Sequence, residues 1–196
     1  MNSKVKTISL VVFLYFCAAL VSVNAQSRNR NEDKSGVEVA FPIVEGWERG
    51  DIYAYPTAEL GYSIAYQAKD GASVTVYVYN GGNKTISNDI NDKIVSGQMV
   101  QAKNDIKKVG ELGYYQNVEE IKSETITLGG SAGKIKSHYV LFNYKIREQP
   151  VISEICLFSY KNNFIKIRIT RPDDDSASEH AGVKYLLSEI DKLFSK

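Results

Sequence analysis

The chain has 196 residues, with 24 lysines and arginines against 23 aspartates and glutamates, so its formal net charge is +1. A balance this close to neutrality argues against a nucleic-acid-binding protein, which usually carries a clear basic excess. Two cysteines and two histidines are too few for a recognisable zinc-site spacing, and no motif indicates a cofactor.

The first 25 residues predict an export signal. Lys4 and Lys6 form a positively charged start, residues 8–23 are almost entirely apolar, and Ala25 ends a small-residue pattern that signal peptidase recognises. The apolar run is shorter than the ~20 residues that span a bilayer. We therefore expect cleavage after Ala25, no remaining transmembrane anchor, and a secreted or periplasmic protein.

Residues 26–36 are polar and of mixed charge, which predicts a disordered leader. Residues 37–196 are then expected to form a single domain, because no later linker rich in Pro, Gly or Ser interrupts them. Cys17 leaves with the signal, so Cys156 has no partner for an intramolecular disulfide.

The first half of the domain predicts three strands and a helix. The strands cover residues 52–55, 60–66 and 73–79, and the last of these alternates valine with polar and aromatic residues. Apolar residues spaced by three and four predict an amphipathic helix over residues 86–109. Thr85 or Ser87 can cap its first turn, and Gly110 followed by Gly113 can end it.

The second half predicts four strands and a closing helix. The strands are residues 118–128, 133–146, 151–160 and 164–170, separated by turn residues as in consecutive hairpins. Ser176 and Glu179 have capping-box spacing before the C-terminal helix. The order indicates an α+β fold, with an antiparallel sheet of about seven strands flanked by a long middle helix and a C-terminal helix. Bulky residues on both strand faces predict that both sides of the sheet are covered.

Several short phrases resemble the PsbP-like extrinsic photosystem proteins. They are Gly46-Trp47, Leu60-Gly61-Tyr62-Ser63, residues 75–80 and residues 164–170. The resemblance implies an α/β/α sandwich and an extracytoplasmic binding or assembly module rather than an enzyme. No motif carries a PsbP ligand residue onto this chain.

Two side chains, Ser131 and Cys156, are candidate nucleophiles, and each also has a purely structural explanation. Residues 129–133 satisfy Gly-x-Ser-x-Gly around Ser131, but a nucleophile elbow needs a helix directly after the serine, and here a strand is predicted. Cys156 could pair with His138 or His180, yet it lies in mid-strand, where a thiol usually packs as a small apolar group. A hydrolase using Ser131 or Cys156 is therefore the less favoured alternative.

The acidic run over residues 173–175 could in principle bind calcium, but it lacks the spacing and glycine of an EF-hand loop. Negative charge before a helix is favoured by the helix dipole, which explains the run without a metal. We expect no metal site. Asn83 begins a glycosylation sequon in a predicted turn.

Four side chains are candidates for partner or ligand binding. Tyr77 and Tyr79 point away from the strand valines, either as an aromatic platform or, as packing favours, beneath a helix. Lys166 and Arg168 share a strand face and could attract an anionic partner. The resulting hypothesis is an exported, non-enzymatic binding or assembly module of the cell envelope that contacts an envelope or extracellular protein. The alternative is a small-molecule carrier with a pocket around Tyr77 and Tyr79.

Overall fold

The structure is a computed structural model that describes residues 39–173 and 181–195. The expected signal peptide and leader lie outside the described residues, as do Ser176, Glu179 and His180. No helix in the described ranges is long and apolar enough to cross a bilayer.

The described residues form an antiparallel sheet of eight strands with two α-helices. In chain order these are β1 (Trp47–Arg49), β2 (Tyr53–Ala54), β3 (Tyr62–Ala68), β4 (Ser73–Tyr79), α1 (Lys93–Glu111), β5 (Gln116–Thr127), β6 (Lys136–Ile146), β7 (Gln149–Tyr160), β8 (Asn163–Pro172) and α2 (Ala181–Phe194). Across the sheet the order is β1-β3-β4-β8-β7-β6-β5, and β2 also pairs with β3. The predicted α+β class and antiparallel sheet are confirmed.

The expected count of about seven strands omitted β1. This strand has three residues, of which only Trp47 is buried, so it shows no alternation that a sequence pattern could reveal. Its pairing with β3 and a hydrogen bond from Trp47 Nε1 to the carbonyl of Gly182 hold it in place. The predicted strand over residues 52–55 is shorter in the structure, where only Tyr53–Ala54 pairs with β3.

Helix α1 begins seven residues later than predicted, so neither Thr85 nor Ser87 caps it. The cap is Asp92, whose carboxylate accepts a hydrogen bond from the Ile94 amide at 2.7 Å. The positive end of the helix dipole also stabilises a carboxylate at this position. The helix therefore starts at Lys93 for a local polar reason that the apolar spacing upstream concealed.

The loop before α1 packs on the strand ends instead of extending the helix. The Ile86 side chain is buried, but its amide donates to the side-chain oxygen of Asn162 at 2.7 Å rather than to a helical carbonyl. The carbonyl of Ile90 is hydrogen-bonded to His138 at 2.8 Å. Asn83 lies in the preceding turn, as expected of the sequon, and its amide nitrogen donates to the carbonyl of Asn80. Apolar residues with helical spacing therefore lie in a loop here, and the loop buries Ile86.

The end of α1 follows the glycine signal. Gly113 has φ +81°, its amide donates to the Gly110 carbonyl, and the Tyr114 amide donates to the Val109 carbonyl. These two bonds define a Schellman motif, which needs a left-handed residue just after the cap. Gly113 is therefore the stop, while Gly110 belongs to the helix.

The two helices lie on opposite faces of the sheet. On one face, α2 covers the valines of β4 and the isoleucines of β8, all of them completely buried: Val74, Val76, Val78, Ile165, Ile167 and Ile169. On the other face, α1 packs its apolar stripe on Val140, Phe142 and Leu157. Each face thus has its own apolar core, and both cores share the backbone of one sheet.

Candidate functional site

The face of the sheet that carries α1 is only partly covered. Helix α1 packs mainly against β5, β6 and β7. It does not cover β3 or large parts of β4 and β8. Ala65 is exposed there, and Thr75 and Arg168 are half-buried. We call this area the open strip and define it by Tyr53, Tyr55, Ala65, Thr75 and Arg168.

The strand register shows that these residues share one face. Ala65 is paired with Thr75, and Thr75 with Arg168 across the next strand. Directly paired residues of antiparallel strands project from the same side of a sheet. One row of the open strip therefore runs Ala65, Thr75, Arg168 across β3, β4 and β8, and it places a small residue and a short polar residue beside a cation.

A second, parallel row carries tyrosines and a lysine. Tyr53 is paired with Ser63, Ser63 with Tyr77, and Tyr77 with Lys166. Tyr53 is 50% exposed at the edge of the sheet, whereas the Tyr77 ring is buried. Tyr55 is joined to the second row by a hydrogen bond, since its hydroxyl is 3.1 Å from the hydroxyl oxygen of Ser63.

Lys166 lies over the faces of two tyrosine rings. Its ammonium nitrogen is 4.7 Å from the centre of the Tyr77 ring and 5.6 Å from that of Tyr79. A cation over an aromatic face is stabilised by the quadrupole of the ring. The pKa of Lys166 is lowered to about 8, chiefly by burial; the charge of Asp105 opposes this shift, and the charge of Arg168 contributes to it.

Arg168 is held by two further tyrosines. Its Nη2 donates to the hydroxyl oxygens of Tyr115 and Tyr144, each at 2.9 Å. The two rings are stacked, with centroids 4.3 Å apart and planes 17° from parallel. The guanidinium of this open-strip residue is therefore held in one orientation by two tyrosine hydroxyls.

All four predicted binding residues meet in this region, although their exposure differs from the platform hypothesis. Tyr77 is packed beneath Lys166, and Tyr79 packs on Phe164 and accepts a hydrogen bond from Gln98 Nε2 at 3.0 Å. Burial raises the pKa of both tyrosines. The two rings support the surface from below, and Lys166 and Arg168 carry its polar chemistry.

Sequence reasoning did not select Tyr115 and Tyr144 as site residues. Tyr115 lies just before β5 and Tyr144 near the end of β6, both far in sequence from Arg168, and no local pattern relates them. Tyr53 and Tyr55 belong to a visible tyrosine-rich stretch, which was a usable signal. Only the partial coverage by α1 distinguishes them as accessible.

The Gly-x-Ser-x-Gly sequence forms a turn that docks α2. Ser131 lies exposed in the 3₁₀ turn Gly130–Ala132, and strand β6 follows, which is not the geometry of a nucleophile elbow. Gly129 has φ +72°, and a Cβ there would lie 2.9 Å from Cα of Ser188 on α2. Close backbone approach, not catalysis, accounts for this glycine.

The same turn is bonded to α2 by Asp191. Its carboxylate accepts hydrogen bonds from the amides of Lys134 and Ile135, at 2.8 to 3.1 Å. Gly133 permits the tight turn, because a Cβ at that position would clash with the carbonyl oxygen of Leu128. The buried carboxylate is thus satisfied by amides at the start of the β6 segment.

Cys156 and His138 project from opposite faces of the sheet. His138 is paired with Leu157, the neighbour of Cys156, so strand alternation separates the imidazole from the thiol. Cys156 is completely buried, and burial raises the pKa of its thiol. A thiolate nucleophile is disfavoured at this position.

No group of three or more histidine, cysteine, aspartate or glutamate side chains suited to a metal ion occurs in residues 39–173 and 181–195. Of the acidic run over residues 173–175, the structure describes Asp173 alone. Its amide donates to the carbonyl of Pro150, which ties the end of β8 to β7.

A cleft of about 540 Å³ opens at another part of the described structure, where the loop before α1 meets the end of α2. We call it the end cleft. Residues that line it include Ile90, Lys134, Lys136, Phe158, Tyr160 and Phe194. Tyr77 and Tyr79 are not among its lining residues, so it is a different location from the expected tyrosine pocket.

No protein-family model matches the chain, and no curated protein matches it. Among solved structures the chain is similar to a mutant of the protein Mog1, with 12% identity, a TM-score of 0.39, and coverage of 78% of this chain and 84% of that one. It is equally similar to the Ran-binding protein Mog1p of Saccharomyces cerevisiae, with 12% identity, a TM-score of 0.39, and coverage of 78% and 83%. These likenesses identify no function for this chain.

Proposed function

We propose that this chain is an exported, non-enzymatic binding or assembly module of the cell envelope that contacts a partner protein through the open strip. One observation carries the proposal: tyrosine and arginine side chains occupy the part of the α1 face that the helix leaves uncovered. Tyrosine and arginine are enriched at protein interfaces and among the residues that dominate binding energy.

The rigidity of the open strip supports a binding role. Arg168 is oriented by Tyr115 and Tyr144, and Lys166 by the rings beneath it. Side chains that are ordered before binding lose little conformational entropy when a partner arrives. The backbone beneath them is a sheet paired on both sides of β4 and β8, so the whole surface is presented on a fixed scaffold.

Export rests on the N-terminal sequence, where residues 1–25 have the signal pattern and Ala25 precedes the expected cut. The PsbP-like resemblance independently suggests an extracytoplasmic binding or assembly module. A hydrolase is less favoured, because Ser131 lies on the turn that docks α2 and Cys156 is completely buried.

The test is affinity capture from the native envelope fraction with three forms of the chain that begins at Gln26. Tyr53 is 50% exposed on the open strip, and Tyr185 is 51% exposed on α2, so Tyr185→Ala is a matched control for Tyr53→Ala. We expect a specific protein to be retained by the wild type and by Tyr185→Ala, and its recovery to fall at least fivefold with Tyr53→Ala.

Retention that is equal for all three forms would contradict the assignment of the open strip, and an empty wild-type lane would contradict the protein-binding role. N-terminal sequencing of the chain recovered from its native host belongs to the same experiment. A start at Gln26 in the envelope or the medium is expected, and a chain that retains Met1 in the cytoplasm would refute export.

A further inference from the structure

The end cleft has an aromatic floor. The Phe194 ring packs edge-on against Phe158 at 5.6 Å and against Tyr160 at 5.2 Å between centroids. Its volume lies within the range of roughly 300–1,000 Å³ that is usual for small-molecule sites. Phe158 and Phe194 are themselves almost fully buried, so the apolar surface open to a ligand belongs to the partly exposed Ile90, Ile135 and Tyr160.

One wall of the end cleft is basic. Lys134 and Lys136 line it, and the Lys161 ammonium lies 4.9 Å from the centre of the Tyr160 ring. Within the described ranges, none of these three lysines has a carboxylate at ion-pair distance, whereas Lys103 and Lys107 both pair with Glu120. Lys134, Lys136 and Lys161 thus make no ion pair within the described ranges, and they outnumber the one carboxylate, Asp89, that lines the cleft.

The nearby carboxylates are occupied by backbone amides. Asp89 accepts a hydrogen bond from the Asn91 amide at 2.9 Å, and Asp191 accepts the amides of Lys134 and Ile135. The same bonds to Asp191 fix the backbone between the two lysines. Lys136 is also held, since its ammonium donates to the hydroxyl of Thr127 at 2.9 Å.

We propose that the end cleft binds a small anionic amphiphile, a molecule with one carboxylate and an aliphatic or aromatic body. Its body lies on the partly exposed side chains of Ile90, Ile135 and Tyr160, and its carboxylate is bound by the ammonium groups of Lys134 and Lys136. The site is separate from the open strip, and nothing in this inference depends on the protein-binding role.

The test uses three probes with an eight-carbon chain, counting the carboxyl carbon of octanoate, and with different heads: octanoate, octan-1-ol and octyltrimethylammonium. Binding to the folded chain from Gln26 is measured by calorimetry and by shifts of amide NMR signals. We expect octanoate to bind at least tenfold more tightly than octanol, the cation not to bind, and the amide signals of Ile90 and Ile135 to shift with octanoate.

The variant Lys134→Gln/Lys136→Gln is expected to weaken octanoate binding at least tenfold and to leave octanol binding unchanged. The matched control is Lys69→Gln/Lys108→Gln, which removes the same charge from two exposed lysines outside the cleft and should not alter octanoate binding. Thermal unfolding of both variants verifies that they fold. A further measurement needs no variant: octanoate binding should weaken as salt is raised, because salt screens the ammonium groups.

Three outcomes would overturn the proposal: no binding of octanoate, equal binding of octanoate and octanol, or an equal loss of octanoate binding in both double variants. Tyr53→Ala is expected to leave octanoate binding intact. A failure at the open strip and a failure at the end cleft are therefore distinguishable.

Discussion

The two faces of the central strands β4 and β8 differ in their chemistry: one is apolar and the other carries cations and tyrosines. On the α2 face, Val76 and Ile167 are paired and completely buried in an apolar core. At the neighbouring position of each strand, on the opposite face, Tyr77 and Lys166 form a cation–aromatic pair. The strand alternation thus assigns stability to one face and polar chemistry to the other without changing the backbone.

The contrast shows how a small sheet can hold cations close to its core. The α2 face gains free energy from burying apolar area, at roughly 25 cal/mol for each Å². On β4 and β8, the α1 face must compensate partly desolvated charges, and it does so with tyrosine rings and hydroxyls. A surface of this kind remains suited to a partner because its polar groups are already ordered.

The largest expected effect comes from breaking the α2 face. Ile167→Ala removes a completely buried side chain, so the free energy of unfolding should fall by about 2–5 kcal/mol. Thr75→Ala, on the half-buried α1 face, should lower it by only about 1 kcal/mol, the loss expected from strand propensity. Urea unfolding measures both values, and comparable losses would show that the two faces do not divide stability in this way.

A smaller effect is expected where the β5–β6 turn meets α2. Gly133→Ala places a Cβ against the Leu128 carbonyl and forces the turn to shift, with an expected loss of roughly 1–3 kcal/mol. Gly97→Ala is the matched control, since a Cβ on that residue of α1 meets nothing within 4 Å.

Gly97→Ala should instead stabilise the protein by roughly 0.5–1 kcal/mol, because alanine has the higher helix propensity. Changes of the same sign in the two alanine variants would refute the docking role assigned to the glycine-rich turn. Thermal unfolding is sufficient to decide the sign.

The most subtle effect concerns pH and the α1 face. The pKa of Lys166 is lowered by burial from 10.5 to about 8, so between these values the unfolded chain binds more protons than the folded chain. Stability contributed by this group therefore rises with pH over that interval. The free energy of unfolding of the wild type, relative to Lys166→Met, should rise from about pH 8 to 10.5 and remain level below pH 8.

The control for the pH experiment is Lys69→Met, which removes an exposed lysine from the turn after β3. Urea midpoints measured across the same pH range give the comparison. If Lys69→Met removed the rise as fully as Lys166→Met does, the burial of Lys166 would not be its cause.

The fold was predictable from the sequence wherever local patterns coincide with structure. The alternation of β4 predicted the bounds Ser73–Tyr79, and the glycine signal predicted the end of α1 near Gly113. The start of α1 was missed because Ile86 continues the helical spacing while packing from a loop. Apolar spacing indicates which side chains are buried, but buried side chains can belong to a loop as well as to a helix.

The candidate site was less predictable than the fold. Alternation predicted that Lys166 and Arg168 share a face of β8 and that Tyr77 lies opposite the valines of β4. The pairing of Tyr77 with Lys166 puts these side chains on the same face of the sheet. Their meeting, and the arrival of Tyr115 and Tyr144 at Arg168, depend on strand order and on the path of α1. Contacts between residues so distant in sequence have no local signature.

The position of α2 in the chain has a consequence for the timing of folding. It is the most C-terminal element described, yet it covers the valines of β4, which are made about a hundred residues earlier, and its Asp191 satisfies the turn before β6. During synthesis the apolar face of the sheet therefore stays uncovered until α2 has been made. Until then the nascent chain presents an uncovered apolar face of the kind that chaperones bind.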